Sequence, residues 1–420
     1  MYSKFRDFFY NYKTAIQNAG YLTCLQVLSL VFPLITYPHL IKTLGTNLYG
    51  EIILAQGAAF LLCAFVSYGF NLSATRKITK HKRELKSVSN IFTATIVAKF
   101  VIFLPALMIF ITYIYCVKPS ELHVIYLLCV GPLIYEVFFP TWLFQGLEEM
   151  KYITILNALF RLIMLVSVFV FIREPSDGIK FAFVSLSYYI FMSIASQLVV
   201  YNKLSVKYRR VDFAYIKVSF VDGYSIFISS IFIALKDRLN IIVVGIVFGP
   251  SQVIIYDIAL KVISVLSIPQ NIILTAFFPQ VVNKREVSLI KKLFISICGF
   301  NIIIVTTIYI VFPYIAAWLL PNVYVEDFYV IYILLTSVVF VGVSSSIGRL
   351  ILLPFGYDKL LAKTVVVNCI LYFLFMFTYV YFVNDKSLIE FSCLILTIYI
   401  TEIYLRGWAA FSVFKNEKGN

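Results

Sequence analysis

The sequence predicts an all-α integral membrane protein, with about twelve transmembrane helices in two six-helix lobes around a central cavity. Three observations carry this: a composition too apolar for water, windows long enough to span a bilayer, and a half-chain echo of one motif. The 420 residues are 61% hydrophobic and 13% charged, with mean hydropathy +0.92. A soluble domain carries about 25% charged residues. One chain cannot close a core over so much apolar surface in water, so lipid is the solvent.

A hydrocarbon core needs roughly 20 apolar helical residues to cross it. Windows of that kind fall near 15–38, 50–72, 88–115, 122–145, 152–172, 180–201, 219–248, 251–278, 293–312, 328–353, 360–383 and 388–411. Barrel strands would alternate polar and apolar residues over about ten positions, whereas these runs are continuously apolar. The N-terminal MYSKFRDFFYNYK reads as a basic, aromatic collar, without the pattern of a cleaved signal peptide. The seven cysteines form no CxxC and read as apolar fillers. His39, His81 and His123 lack metal-site spacing, and no cofactor is expected.

The formal charge of +14 is distributed as a topology signal rather than a nucleic-acid footprint. With the N-terminus inside, the basic clusters Arg76–Lys86, Lys203–Lys217 and Lys284–Lys292 all face the cytoplasm. The opposite side holds Lys42, Lys118, Arg173, Lys180 and Lys386. Both termini are therefore expected in the cytoplasm. Every loop is short, and no Walker loop, GxGxxG or HExxH occurs.

LGTNLYGEIILAQ at 44–56 has a counterpart in FGPSQVIIYDIALK at 248–261. Each places a glycine at a helix turn, Gly45 and Gly249, ahead of an amphipathic helix. This predicts lobes 1–210 and 211–420 in the same orientation, the arrangement of transporters with repeated halves.

Charged residues within spans are the candidate site. Each costs about 2.5–3.5 kcal/mol at the bilayer centre, so they face a wet cavity, pair, or snorkel. Lys99, Arg161, Lys236, Arg238 and Lys261 are the candidate substrate-binding cations. Glu136, Asp237 and Asp257 are the candidate ion-coupling acids. Arg349 and Arg406 lie near helix ends and are expected to snorkel, with Glu402 four residues before Arg406 in ion-pair register. Polar stripes follow helical spacing: Gln56, Cys63, Ser67 and Asn71; Asn157 and Arg161; Ser225, Ser229, Lys236 and Asn240; Asp257, Lys261, Ser264 and Asn271. Such stripes also glue helices together. A site richer in cations than acids attracts an anion, and a phosphate or pyrophosphate suits Arg.

LGTNLYGEIILAQ, YGFNLSATRKI at 68–78 and PTWLFQGLEEMKYITI at 140–155 together resemble the Wzx-type O-antigen and polysaccharide flippases. The resemblance implies membership of the multidrug/oligosaccharidyl-lipid/polysaccharide (MOP) exporter superfamily and a V of two lobes around a cationic cavity. It implies translocation of an undecaprenyl-pyrophosphate-linked oligosaccharide from the cytoplasmic to the periplasmic leaflet by alternating access, with H+ or Na+ as coupling ion. The polymerase and chain-length proteins of the same pathway are candidate partners beside membrane lipids. Within the motifs, Asn71, Ser73, Thr75, Arg76, Gln145 and Gly146 are gate candidates.

An ion-coupled multidrug-type antiporter is the alternative, and the deep cations disfavour it. An enzyme such as a polymerase or ligase would need a large outer loop with catalytic Arg or His. The stretch FPYIAAWLLPNVYVEDF at 312–328 has none. Non-enzymatic transport is the expectation.

Overall fold

Apolar chain in lipid must satisfy its own backbone polar groups, and helices do so within one segment. The computed structural model describes residues 13–284, 286–319 and 325–417, which form helices and short connections with no strand among them. Eleven helical stretches are long and apolar enough to span a membrane, and a bent pair, Phe213–Tyr224 with Ile226–Val247, makes twelve. Many large apolar side chains point outward, among them Met108, Ile109, Leu162 and Phe183. Such a surface suits lipid, since soluble monomers rarely expose patches beyond a few hundred Å2. The collar ahead of Lys13 lies outside the described residues.

By compactness the chain divides into two units, Met1–Arg238 and Leu239–Asn420. Unit 1 contains α1 (Lys13–Leu44), α2 (Thr46–Ser67), α3 (Phe70–His81), α4 (Leu85–Val117) and α5 (His123–Leu128). It continues through α6 (Gly131–Phe138), α7 (Thr141–Gly146), α8 (Met150–Phe171), α9 (Gly178–Asn202) and the first part of α10 (Phe213–Val247). Unit 2 contains the rest of α10, then α11 (Pro250–Leu266), α12 (Ile268–Lys284), α13 (Val287–Leu319) and α14 (Val325–Ser346). A π-helical turn (Ile347–Leu352), α15 (Asp358–Phe382) and α16 (Leu388–Glu417) complete it. α10 begins just past the 210/211 boundary read from the sequence, and its first part is compact with unit 1.

Two expected spans are broken and a third turns within its length. The second, 50–72, stops where Tyr68 and Gly69 take φ 43° and 72°. YGFNLSATRKITK is therefore mostly a separate amphipathic helix, α3. The fourth, 122–145, breaks into α5, α6 and α7. Pro132 sits in the first turn of α6, and Phe139 before Pro140 is forced extended at φ −95°, ψ 99°. The eighth, 251–278, passes from α11 to α12 through a turn at Ser267 (φ −81°, ψ −12°), with i→i−4 hydrogen bonds continuing on both sides of it. Pro33 and Pro105 stay inside continuous helices.

The repeat is visible element by element. Gly45 (φ 78°, ψ 162°) and Gly249 (φ 91°, ψ 167°) cap α2 and α11 in the same conformation. That region is essentially restricted to glycine. α4 and α13 are each 33 residues long. α7 and the π-helical turn are each six residues, in corresponding places before α8 and α15.

Candidate functional site

The site in unit 1 begins with a missing hydrogen-bond donor. In an α-helix the amide four residues on would satisfy the Glu136 carbonyl. That residue is Pro140, which has no N–H. The Lys99 ammonium, from α4, supplies the donor instead, at 3.0 Å. The same nitrogen donates to Glu136 Oε1 at 2.7 Å and to Asn71 Oδ1 at 3.0 Å. Asn71 Nδ2 donates in turn to Ser67 Oγ at 3.1 Å and Glu136 Oε1 at 3.4 Å. Lys99 is 1% exposed, and Glu136 retains 20% of its side chain exposed. A buried ammonium is tolerated only when paired and fully hydrogen-bonded, and Lys99 makes all three of its bonds. The carbonyl of Phe138, at the same break, accepts from Ser196 Oγ at 3.3 Å and from Gln197 Nε2.

Asn71 ties this joint to the motif helix. Thr75 Oγ1 donates to the Asn71 carbonyl at 2.5 Å and to the Trp142 carbonyl at 3.2 Å. α3 lies directly on α7, because Gly146 lets Ile78 approach. A Cβ at Gly146 would stand 2.8 Å from Ile78 Cβ and 3.2 Å from the Thr75 carbonyl. On another side α3 meets α10. A Cβ at Gly69 would be 2.8 Å from Ile226 Cβ, and Lys77 pairs with Asp222 at 2.6 Å. The bend in α10 falls at this crossing. Two motifs far apart in sequence, YGFNLSATRKI and PTWLFQG, therefore form one packed joint. Ser73 is buried in it, Gln145 is half-buried on α7, and Arg76 is exposed.

The other predicted cations in unit 1 surround this joint. Cys63 lies within electrostatic reach of Glu136, Arg238 and Lys99. The Arg238 guanidinium stands over the Phe60 ring at 5.2 Å. Arg161 lies within electrostatic reach of Tyr135 and Tyr188, and Asn157, one turn before it, donates through Nδ2 to the Ile153 carbonyl at 2.8 Å. Lys236 is half-buried on α10, and the side chains of Asp237, Ser225 and Ser229 lie outside the described residues.

Unit 2 holds the remaining candidates. Lys261 pairs with Asp257 one turn away on α11. Arg349 is exposed on the π-helical turn and donates to Asn271 Oδ1 at 3.3 Å. Arg406 differs from the expectation of snorkelling. Its guanidinium pairs with Glu402 at 2.7 Å and donates to the Ser344 carbonyl at 2.9 Å. Glu402 also accepts from Ser344 and Asn368, so the pair is the centre of a buried network.

Sequence reasoning missed one further pair. Glu51 accepts from Lys118 Nζ at 2.8 Å and from the Tyr126 hydroxyl, with Lys118 also over the Tyr126 ring. The available signal was Glu51 itself, a carboxylate inside LGTNLYGEIILAQ. Its partner was read only as a loop charge. Among the described residues no cluster of His, Cys, Asp and Glu is arranged to hold a metal.

The polysaccharide biosynthesis protein family matches residues 15–283. A protein of Escherichia coli (strain K12) named "Putative O-antigen transporter" is 30% identical over 283 residues, covering 66% of this chain and 68% of that protein. One of Shigella dysenteriae with the same name is 24% identical over 371 residues, covering 84% and 89%. Among solved structures, an inward-facing multidrug resistance MATE family transporter of the MOP superfamily superposes with TM-score 0.66 at 14% identity, covering 92% of this chain and 99% of that one. A Vibrio cholerae MATE transporter superposes with TM-score 0.64 at 11% identity, covering 96% of each. The fold is thus that of MOP-superfamily transporters.

Proposed function

Because this chain belongs to the polysaccharide biosynthesis protein family, we propose that it is a flippase of lipid-linked oligosaccharide. The cargo is an undecaprenyl-pyrophosphate-linked O-antigen or related repeat unit, moved from the cytoplasmic to the periplasmic leaflet by alternating access. One observation carries the anionic cargo. Beside the paired Lys99 and Glu136, unit 1 carries two arginines, Arg161 within electrostatic reach of Tyr135 and Arg238 over the Phe60 ring. In a low-dielectric surrounding, such an excess of positive charge attracts phosphate strongly. Arg161 and Arg238 can fork onto its oxygens; Lys236 on α10 is a further candidate in unit 1, and Lys261 on α11 is the candidate in unit 2. In this reading both termini lie on the cytoplasmic side of the inner membrane, a topology that the positive-inside bias of the basic segments supports. The two lobes, 1–210 and 211–420, act as the moving bodies. Asn71, Ser73, Thr75, Arg76, Gln145 and Gly146 make the α3–α7 joint a cytoplasmic gate. Glu136, Asp237 and Asp257 are the carboxylates available to a coupling H+ or Na+. The pathway's polymerase and chain-length proteins would take the product onward.

The test is sidedness. The purified chain is reconstituted in liposomes with an undecaprenyl-pyrophosphate oligosaccharide, and exposure of the sugar to an impermeant probe is timed. Protein-dependent exposure is expected, slowed at least tenfold by Arg161→Ala, Lys236→Ala or Lys261→Ala with insertion intact. Normal rates in all three variants refute the cationic site. Flux of cationic drugs without lipid translocation would instead favour a multidrug antiporter.

A further inference from the structure

The segment between α9 and α10 is strapped across unit 1. Past Asn202 the chain turns at Ser205, whose φ is 56°, and folds back on the end of α9, where the Val206 amide donates to the Val200 carbonyl at 3.2 Å. It then crosses to α4. The Lys207 amide donates to Ser89 Oγ at 3.3 Å, and the Arg209 amide to Thr93 Oγ1 at 3.0 Å. Val206 is buried, and the Tyr208 ring centre lies 5.0 Å from that of Phe92. Backbone amides do the fastening, which leaves the basic side chains of the strap outward. Lys203, Lys207, Arg209 and Arg210 are all exposed.

The strap, α4, α6 and α9 line a cavity of about 510 Å3. Pockets that hold a whole small ligand run to about 300–1,000 Å3. Phe92, Ile134, Phe138, Ile194, Leu198 and Val206 give this one apolar walls. The polar groups in the wall are already satisfied. Ser193 Oγ donates to the Tyr189 carbonyl at 2.7 Å, Gln197 Nε2 donates to the Phe138 carbonyl, and the Tyr208 hydroxyl donates to Gln197 Oε1 at 2.9 Å. Such a wall offers little to a polar ligand or to water, which needs about two to four polar partners. Ile194 and Leu198 are exposed, so an apolar chain can enter along α9.

One edge of the cavity is cationic. Tyr201 and Tyr208 line it, and the Lys207 ammonium stands over the Tyr201 ring, 5.7 Å from its centre. The strap's four cations face one acid, Asp212, in residues 203–212. Basic groups beside a bilayer attract anionic lipid headgroups. A neutral lipid would use the wall alone, and a free phosphate the edge alone. A ligand with an acyl tail and an anionic head uses both. A polyprenyl tail, several times longer than an acyl chain, would leave most of its length outside.

We propose that this cavity is a specific site for one anionic phospholipid. One acyl chain fills the cavity, and the phosphate is held by Lys207 with the other cations of the strap. The bound lipid also fixes the strap against the break between α6 and α7, because Tyr208 holds Gln197 and Gln197 holds the Phe138 carbonyl. The site is separate from the Lys99 cluster and stands whether or not the chain is a flippase.

Two measurements on the full chain test the site without any transport assay. In the first, delipidated protein in detergent is titrated with phosphatidylglycerol or phosphatidylethanolamine, and bound lipid is counted by native mass spectrometry. One phosphatidylglycerol is expected to bind about tenfold more tightly than phosphatidylethanolamine. Ile194→Trp, which fills the cavity from its exposed side, should weaken phosphatidylglycerol binding by about the same factor. Lys207→Gln with Arg209→Gln should remove the preference between the two lipids. In the second, a phosphatidylglycerol with a photoreactive acyl chain is attached to wild-type protein, which needs no variant to fold. Attachment to α9 and the strap is expected. Equal affinities for the two lipids in wild type, or in the double variant a preference as large as wild type's, overturn the anionic headgroup. Unchanged binding in Ile194→Trp, or attachment spread evenly over the lipid-facing helices, overturns the cavity as its seat. Displacement of the label by an equal amount of undecaprenyl phosphate overturns the phospholipid and assigns the cavity to a polyprenyl tail.

Discussion

Gly146→Ala tests whether the α3–α7 joint is held by close backbone approach. The new Cβ would lie 2.8 Å from both Ile78 Cβ and Cγ2, and 3.2 Å from the Thr75 carbonyl. Ile78 is fully buried in a cluster with Phe92, Trp142 and Leu143, so it has no free volume to retreat into. Overpacking of this kind costs about 1–3 kcal/mol. Ile78→Ala by itself leaves a cavity and costs about 2–5 kcal/mol. In the double variant the Cγ2 contact is gone and α3 is freer to shift, so part of the strain and part of the cavity cancel. The combined loss should fall short of the sum by about 0.5–1 kcal/mol, at the lower end for residues in contact. Unfolding in mixed micelles, followed by tryptophan fluorescence, measures all three variants. Strictly additive losses, or a Gly146→Ala protein as stable as wild type, would refute the close-approach argument.

Gly45→Ala and Gly249→Ala should each lose about 1–3 kcal/mol. Both glycines hold a glycine-restricted conformation with open space around them, so the loss is backbone strain alone; unequal effects in the same unfolding assay would argue against equivalent caps. Arg406→Ala should cost about 3–5 kcal/mol by stranding Glu402, and adding Glu402→Gln should recover part of it. A neutral Arg406→Ala would return that arginine to the snorkelling reading. Gly342→Ala should destabilise unit 2 by about 1–3 kcal/mol through its clash with Asn301, and Asn301→Ala should suppress the effect; equal losses in both backgrounds would contradict the contact.

Much of the site was legible in the sequence as a list of residues, and little of it as an arrangement. Lys99, Glu136 and Asn71 each stood out, because a charge in an apolar run is costly and a polar residue at a span's end has to be satisfied. Their assignment to separate roles, as cargo binder, coupling acid and gate, came from reading each span alone. The structure joins them through Pro140, whose missing N–H opens the Glu136 carbonyl to Lys99. Helical spacing along one span carries no information about which carbonyl on another span lacks a donor. Stripe spacing did not foretell the turns at Tyr68–Gly69 and Ser267, because backbone dihedrals there depend on the packing of neighbouring helices, yet Ser67 and Asn71 still meet across the first of them. Arg406 was misplaced for a related reason. Its partner Glu402 is local, but the Ser344 carbonyl that draws it inward comes from another helix.

The lipid solvent, the number of spans, the repeat and the family all follow from local and compositional properties. Apolar length, charge asymmetry and motif identity survive any rearrangement of the helices. The α3–α7 joint and the hydrogen-bonded cluster of Lys99, Glu136 and Asn71 do not. They exist because a proline frees a carbonyl, a glycine admits an isoleucine, and residues 28 and 37 positions from Lys99 arrive within 3.0 Å of one ammonium. Such contacts belong to the packing of whole helices, where the energy of each group depends on partners distant in the chain.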